Sequence, residues 1–182
     1  MKILVAYYSE TGNTAKVAQK MYDELSKDQK VDLMAVQDVS VDTLTSYHLV
    51  FLGGPVHDSD LAKTSKHLLE SLPINPGLKL AGFSTHSVYV PDGTPKREEL
   101  YKRWAGECLH SFESICREKG VSFLGYFHCQ GAASPPIEEF IHREIITSGK
   151  EWKEYLPELQ KHPNSEDLKN AKNFARDLIR KY

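Results

Sequence analysis

The residue types best suited to chemistry lie near the start of the chain, in the segment Ser9-Glu10-Thr11-Gly12-Asn13-Thr14. This segment follows a short apolar run at residues 3–8, and a helical pattern begins directly after it. A buried strand, three hydroxyl side chains, one glycine and a helix start together place free backbone N–H groups at the positive end of a helix. Such a junction is suited to holding a phosphate group, although serine and threonine also favour the N-cap of any helix.

Other phosphate-binding patterns do not fit this loop. A nucleotide-hydrolysing loop needs G-x-x-x-x-G-K-[ST], and a dinucleotide-binding turn needs G-x-G-x-x-G, and neither pattern occurs here. A phospho-accepting receiver domain would need acidic residues where its first and third strands end. At those points this chain carries Tyr8-Ser9 and Gly53-Gly54.

The elements that must position the loop alternate along the chain. Apolar runs predict five strands, at residues 3–8, 31–36, 49–52, 80–84 and 121–129. Helical spacing predicts helices after the loop to about residue 27, at 41–47, 61–72 and 94–119, and from 165 onward. Strict alternation requires parallel pairing with right-handed crossovers, so we expect one α/β domain built on a doubly wound five-stranded parallel sheet. Residues 131–164 are expected to form an insertion before the last helix, with a helix at 137–146.

Length and charge narrow the class of protein. The 182 residues carry 23 Lys and Arg against 25 Asp and Glu, and this net charge of -2 gives no electrostatic basis for binding nucleic acid or an anionic membrane. Cys108, Cys116 and Cys129 show no C-x-x-C spacing, which favours neither a disulfide framework nor a zinc site. No apolar run approaches the ~20 residues of a membrane span. We therefore expect a cytoplasmic protein with neither a nucleic-acid nor a membrane partner.

The segment at residues 9–14 resembles the phosphate motif T/S-x-T-G-x-T of the flavodoxin family. The order of strands and helices is also similar to that family's, over most of residues 1–130 and the final helix. The resemblance implies a non-covalently held FMN whose isoalloxazine ring lies between the loops after the third and fourth strands. In this chain those loops are residues 54–59 and 84–93.

The resemblance also implies a set of binding residues. The phosphate would be held by Ser9, Glu10, Thr11, Gly12, Asn13 and Thr14, one edge of the ring by Pro55, Val56, His57 and Asp58, and the other by Thr85, His86 and Tyr89. Tyr89 is the expected stacking aromatic. His57 and His86 also fit exposed loop histidines, and Tyr89 also fits a solvent-facing tyrosine. A metal site at the two histidines lacks a matching carboxylate pattern, and no residue is assigned a catalytic role.

Three functions follow from these expectations. The first is an FMN-binding electron-transfer protein that exchanges electrons with a redox partner protein. The second is an FMN-dependent oxidoreductase that takes hydride from NAD(P)H and reduces a quinone or another small molecule, with the insertion as a substrate lid or the contact of a homodimer. The third is a flavin-free scaffold of the same fold that acts through protein contacts.

Overall fold

The computed structural model describes residues 1–75 and 77–181. The strands are β1 (Lys2–Tyr7), β2 (Lys30–Ala35), β3 (Leu49–His57), β4 (Asp60–Leu61), β5 (Lys79–His86) and β6 (Ser122–Gln130). The helices are α1 (Asn13–Leu25), α2 (Val41–Leu44), α3 (Lys63–Glu70), α4 (Pro95–Ala105), α5 (Glu107–Lys119), α6 (Pro135–Glu144), α7 (Gly149–Leu159) and α8 (Ser165–Lys181). A 3₁₀ turn at Val36–Asp38 follows β2.

The sheet has the strand order β2-β1-β3-β5-β6, and all four of these pairings are parallel. The order reverses between β1 and β3, which is where ligands bind in doubly wound sheets, beyond the carboxyl ends of the strands. The predicted fold class is therefore confirmed. The two-residue strand β4, which the sequence did not indicate, folds back antiparallel onto the end of β3.

Two apolar cores lie on opposite faces of the sheet because successive strand residues point to opposite sides. On one face, Leu4 and Ala6 of β1 belong to a buried cluster that includes Leu69 of α3 and Phe112 of α5. On the other face, Ile3 and Val5 of β1 belong to a cluster that includes residues of α1 and α8. Burying both faces of the central strands fixes where their carboxyl ends lie, and so where the adjoining loops converge.

The single helix predicted at residues 94–119 is wrong, because the structure has two helices that meet at Gly106. A Cβ at Gly106 would lie 2.6 Å from the backbone oxygen of Lys102. The amide of Glu107, the first residue of α5, donates to the carbonyl oxygen of Ser59 at 3.2 Å. The break therefore lets α5 begin against the loop after β3, and apolar spacing that continues through Gly106 could not reveal it.

The insertion between β6 and α8 contains two helices where one was expected. The predicted helix at 137–146 corresponds to α6, whereas α7 occupies a polar stretch that includes Pro157. A third, smaller apolar cluster joins α6 and α7 through Ala133, Ile141, Ile146, Tyr155 and Leu159. The insertion thus has a core of its own beside the two cores of the sheet.

Among the residues that the structure describes, no helix combines the length and the apolar character needed to cross a membrane.

Candidate functional site

A cavity of about 530 Å³ lies beyond the carboxyl ends of β1, β3 and β5. Its size falls within the range of about 300–1,000 Å³ that is usual for small-molecule and cofactor sites. The loop at residues 9–14, the end of β3 with residues 55–59, and residues 85–88 form three sides, while the insertion and Trp104 form the fourth. Parallel topology thus brings together two of the three loops singled out from the sequence, and part of the third.

The loop at residues 9–14 turns directly into α1. Gly12 is the N-cap of α1 with φ of 89°, a left-handed conformation that glycine adopts without the clash a Cβ causes in other residues. The hydroxyl oxygen of Ser9 accepts from the amide of Ala15 at 3.2 Å. The first turn of a helix leaves backbone N–H groups without partners inside the helix. The loop therefore presents amide donors and the positive end of α1 to the cavity.

The hydroxyl groups of the loop keep hydrogens that are free to donate. The oxygens of Ser9 and Thr11 each accept a bond, from the Ala15 amide and from Nδ2 of Asn13 at 3.0 Å, so their own hydrogens can go to another acceptor. The hydroxyls of Thr14 and Thr85 lie 2.7 Å apart. Only one of this pair donates to the other, which leaves one hydrogen for a further acceptor. These hydroxyls suit an anion with several acceptor oxygens.

Asn13 shapes the loop instead of contributing its side-chain amide to a ligand. Its Nδ2 group donates to Thr11 and, at 2.8 Å, to the carbonyl oxygen of Ala132, which uses both hydrogens. Gly131 passes so close that a Cβ there would lie 2.9 Å from this nitrogen. Asn13 therefore ties the loop at residues 9–14 to the start of the insertion.

Glu10 lies at the cavity edge and makes contacts that hold its carboxylate. One oxygen accepts from the Tyr8 hydroxyl at 2.8 Å, and the other lies 3.4 Å from Nε2 of His57. The bond to Glu10 is the largest cause of a raised pKa for Tyr8. Glu10 and His57 thus connect the loops after β1 and β3. The carboxylate of Glu10 contacts protein groups, whereas the hydroxyl side chains of the loop can donate to a ligand.

Residues 56–61 form a tight hairpin that carries His57 and Asp58. Asp58 and Ser59 both have positive φ, at 49° and 69°, and His57 pairs with Asp60 across the turn. Asp60 accepts from Lys66 of α3 at 2.6 Å and from Ser111 of α5 at 2.8 Å. Burial raises the pKa of Asp60, but the bonds from Lys66, the Leu61 amide and Ser111 outweigh burial and lower it overall. Two helices therefore hold this side of the cavity.

His86 contributes to the cavity wall, yet it is only 4% exposed. Its Nδ1 lies 3.1 Å from the carbonyl oxygen of Val88, and its Nε2 lies 3.0 Å from Nδ1 of His128 on β6. Burial and the neighbouring His128 lower the pKa of His86 to about 3, and burial lowers the pKa of His128 to about 4. Both rings are therefore uncharged at neutral pH, and His86 is not an exposed loop histidine.

Tyr89 lies outside the cavity that holds the other predicted residues. Its ring packs against Tyr155 with centroids 4.5 Å apart, its hydroxyl donates to Glu151 at 3.1 Å, and Arg97 lies over its face. These residues line a separate surface cleft of about 390 Å³. The structure therefore directs Tyr89 toward the insertion and away from the expected stacking position.

Most of the other predicted residues do line the cavity. Besides the backbone of Gly12, which forms the turn, the site contains Ser9, Glu10, Thr11, Asn13, Thr14, Pro55, Val56, His57, Asp58, Thr85 and His86. Within the part of the chain that the structure describes, there is no group of three or more His, Cys, Asp or Glu that could hold a metal ion.

The sequence interpretation missed the fourth wall of the cavity. This wall consists of Trp104 at the end of α4 and apolar residues of α6 and its flanks, namely Pro136, Ile137, Phe140, Ile141 and Ile145. The spacing of residues 137, 140, 141 and 145 is typical of one face of a helix. The sequence pattern predicts an apolar helix face, but only the structure shows that this face lines the cavity.

The cavity lining contains polar and apolar groups of the kinds that FMN would need. The end near α1 offers amides and hydroxyls for a phosphate, and among the described residues that line the cavity there is neither lysine nor arginine. Anion binding at a helix start does not require a cationic side chain. The apolar part of the lining, which includes Val56, Val88 and the apolar wall, suits a flat aromatic ring system.

Comparisons with known proteins agree with this fold. The model of a family described as a flavodoxin domain matches residues 4–176. The chain is 28% identical over 186 residues to the flavodoxin-like domain-containing protein BilS of Clostridioides difficile, covering 98% of this chain and 97% of that protein. It is 26% identical over 181 residues to the uncharacterized protein MJ0298 of Methanocaldococcus jannaschii, covering 99% of each.

A solved structure is similar over the same length. Oxidised flavodoxin 2 from Bacillus cereus superposes with a TM-score of 0.66 at 20% identity, covering 100% of both chains. At this identity the likeness supports the fold alone. The match of the family model over nearly the whole chain shows that this protein belongs to the flavodoxin family.

Proposed function

We propose that this protein binds FMN in the cavity at the carboxyl ends of β1, β3 and β5 and transfers electrons to or from a redox partner protein. The observation that carries the proposal is the loop at residues 9–14, where the hydroxyls of Ser9 and Thr11 accept from protein N–H groups and keep their own hydrogens for a ligand. Membership of the flavodoxin family supports the same cofactor. When bound, FMN supplies reversible uptake of one or two electrons.

The chain's own residues would hold and shield the cofactor. The amides of the first turn of α1 and the hydroxyls of Ser9, Thr11 and the Thr14–Thr85 pair would bind the phosphate. Val56, Val88 and the apolar wall would exclude water from the ring. All three cysteines are buried and unpaired, which supports a reducing compartment such as the cytoplasm.

The test compares FMN with riboflavin, which lacks the phosphate. A ligand that binds only the native state raises the midpoint of thermal unfolding. We expect FMN to raise the midpoint of the wild-type protein much more than riboflavin does. Because Thr11 is exposed, Thr11→Val should fold normally. It should weaken the binding of FMN and leave the binding of riboflavin unchanged, so the two ligands should shift the unfolding midpoint by more similar amounts.

The matched control is Thr45→Val, since the Thr45 hydroxyl donates to the Asp42 carbonyl oxygen near α2, away from the cavity. This variant should keep the wild-type preference for FMN. An unchanged midpoint at saturating FMN would refute the cofactor assignment. Equal shifts with FMN and riboflavin would refute the role of the loop.

A second measurement distinguishes a carrier from a reductase. A carrier should keep its bound FMN oxidised when NADH or NADPH is added without oxygen and without a second protein. Loss of the flavin's visible absorption under these conditions would favour the NAD(P)H-dependent reductase instead.

A further inference from the structure

The apolar wall of the cavity contains two aromatic rings that come from parts of the chain outside the predicted ring loops. Trp104 lies in the last turn of α4, and Phe140 lies on α6 within the insertion. Their ring centroids are 5.4 Å apart at an interplanar angle of 81°, an edge-to-face contact, and both side chains line the cavity. This geometry is favourable for an aromatic pair and fixes each ring relative to the other.

Neighbouring side chains hold the two rings of this wall in place. The guanidinium of Arg103 lies over the Trp104 ring, 5.2 Å from its centroid. Phe140 packs against the core of the insertion, and that core is fixed to the sheet where the hydroxyl of Tyr155 donates to the Ser87 carbonyl oxygen at 2.7 Å. These contacts fix both rings in positions that line the cavity.

Tyr89 cannot supply the aromatic surface from its position in the structure. Its ring is packed between Tyr155 and Arg97, and it lines the separate surface cleft. Within the described residues that line the main cavity, the large aromatic carbon surfaces are those of Trp104 and Phe140.

We propose that Trp104 and Phe140 form the aromatic wall that contacts the flavin ring, so that α4 and the insertion together take the place expected of the loop after β5. This inference rests on the proposed binding of FMN. An electron-rich, apolar surface against the ring disfavours the negatively charged reduced cofactor, so Trp104 and Phe140 would also tune its potential. The insertion is then a part of the cofactor site and not an appended module.

The experiment measures the fluorescence of bound FMN. An indole in contact with a flavin quenches its fluorescence by transferring an electron to the excited ring, whereas a phenylalanine is too hard to oxidise to do so. The variants are Trp104→Phe, which keeps an aromatic surface, and Trp104→Leu, which does not. The control is Trp152→Phe, because Trp152 stacks on His142 at 4.8 Å and does not line the cavity.

We expect bound FMN to be weakly fluorescent in the wild-type protein and in Trp152→Phe, and severalfold brighter in Trp104→Phe. The affinity for FMN should change little in Trp104→Phe and weaken about tenfold in Trp104→Leu, in line with the loss of an aromatic contact and its buried area. Phe140→Leu should weaken affinity in the same direction.

The outcomes separate this inference from the proposed function. If wild-type protein binds FMN and Trp104→Phe leaves its fluorescence unchanged, or if Trp152→Phe causes the increase, the aromatic wall is refuted while FMN binding stands. If wild-type protein binds no FMN, both proposals fail together.

Discussion

The imidazole rings of His86 and His128 are joined by a hydrogen bond of 3.0 Å between Nε2 of His86 and Nδ1 of His128. The Val88 carbonyl oxygen can only accept, so Nδ1 of His86 must carry a hydrogen. In a neutral ring Nε2 is then the acceptor, and His128 must donate from Nδ1. The pair therefore has a defined direction, and it fixes the Val88 carbonyl beside the cavity. Tyr101 and Tyr126 stack on His128 and complete its surroundings.

This pair predicts a loss of stability in mild acid. The pKa values of about 3 for His86 and about 4 for His128 lie below the unfolded value of about 6.5. At pH values between the folded and the unfolded pKa, the unfolded chain binds more protons than the folded chain. The free energy of unfolding therefore falls as pH drops below about 6.5, by up to about 1.4 kcal/mol per pH unit for each histidine. Urea unfolding at a series of pH values measures this slope.

The variant His128→Gln should reduce the slope, and His110→Gln, at an exposed position, should leave it unchanged. Nitrogen-15 NMR provides an independent check, because it should report the Nδ1–H tautomer for both rings at neutral pH. A titration of His86 near pH 6.5 would contradict the assignment.

The contact between Gly131 and Asn13 predicts that Gly131→Ala is harmful. The new Cβ would lie 2.9 Å from Nδ2 and 3.0 Å from Cβ of Asn13, so Asn13 would have to shift. We expect a loss of about 1–3 kcal/mol in the free energy of unfolding, with weaker FMN binding because Asn13 shapes the loop. Gly149→Ala is the control, since a Cβ there meets nothing within 4 Å. Equal stabilities for the two variants would show that the site relaxes freely.

The hydroxyl of Tyr155 anchors α7 to the sheet. It donates to the Ser87 carbonyl oxygen at 2.7 Å and accepts from Nε2 of Gln130 at 3.2 Å. Tyr155→Phe removes both bonds and should lower the free energy of unfolding by about 1–3 kcal/mol. Hydrogen exchange should increase more in α6 and α7 than in the sheet. The control is Tyr22→Phe on α1, at a partly exposed position, which should show neither the loss of stability nor the increased exchange. Uniform exchange across the whole sheet would argue against a local anchor.

The partly buried ion pair of Asp60 and Lys66 predicts coupling between α3 and the hairpin that carries His57. Asp60→Asn removes the charge and should cost about 1–3 kcal/mol in the free energy of unfolding, because it leaves the Lys66 ammonium without its counter-ion. Lys66→Met and the double variant complete a cycle. We expect the double variant to be less destabilised than the sum of the single changes. Strict additivity would mean that the pair contributes nothing to holding the hairpin.

Much of the fold and of the polar end of the site could be predicted because both depend on local patterns. Continuous apolar runs such as Leu49 to Leu52 identify buried parallel strands, and alternation of strands and helices then determines which ends meet. Gly12 among hydroxyl residues indicates a backbone turn into a helix start. These signals need no knowledge of what packs against them.

The rest could not be predicted because it depends on contacts distant in sequence. Gly106 interrupts a helical pattern whose apolar spacing continues through it, and only its closeness to Lys102 and the bond from Glu107 to Ser59 explain the break. Tyr89 has the right residue type in the right loop, but Tyr155, more than sixty residues later, determines where its ring lies. Helix α7 was missed because Pro157 and the surrounding charges suggested an irregular segment.

The bond from Asn13 to the Ala132 carbonyl oxygen has a practical consequence for protein engineering. It joins the residue that opens α1 to the residue that leads into the insertion, across 119 positions of sequence. A chimera that transplants this insertion onto another flavodoxin scaffold would need an asparagine at the recipient's helix start and a glycine at the graft junction. The transferable unit is therefore discontinuous, and a cut at the segment boundaries alone would separate its halves.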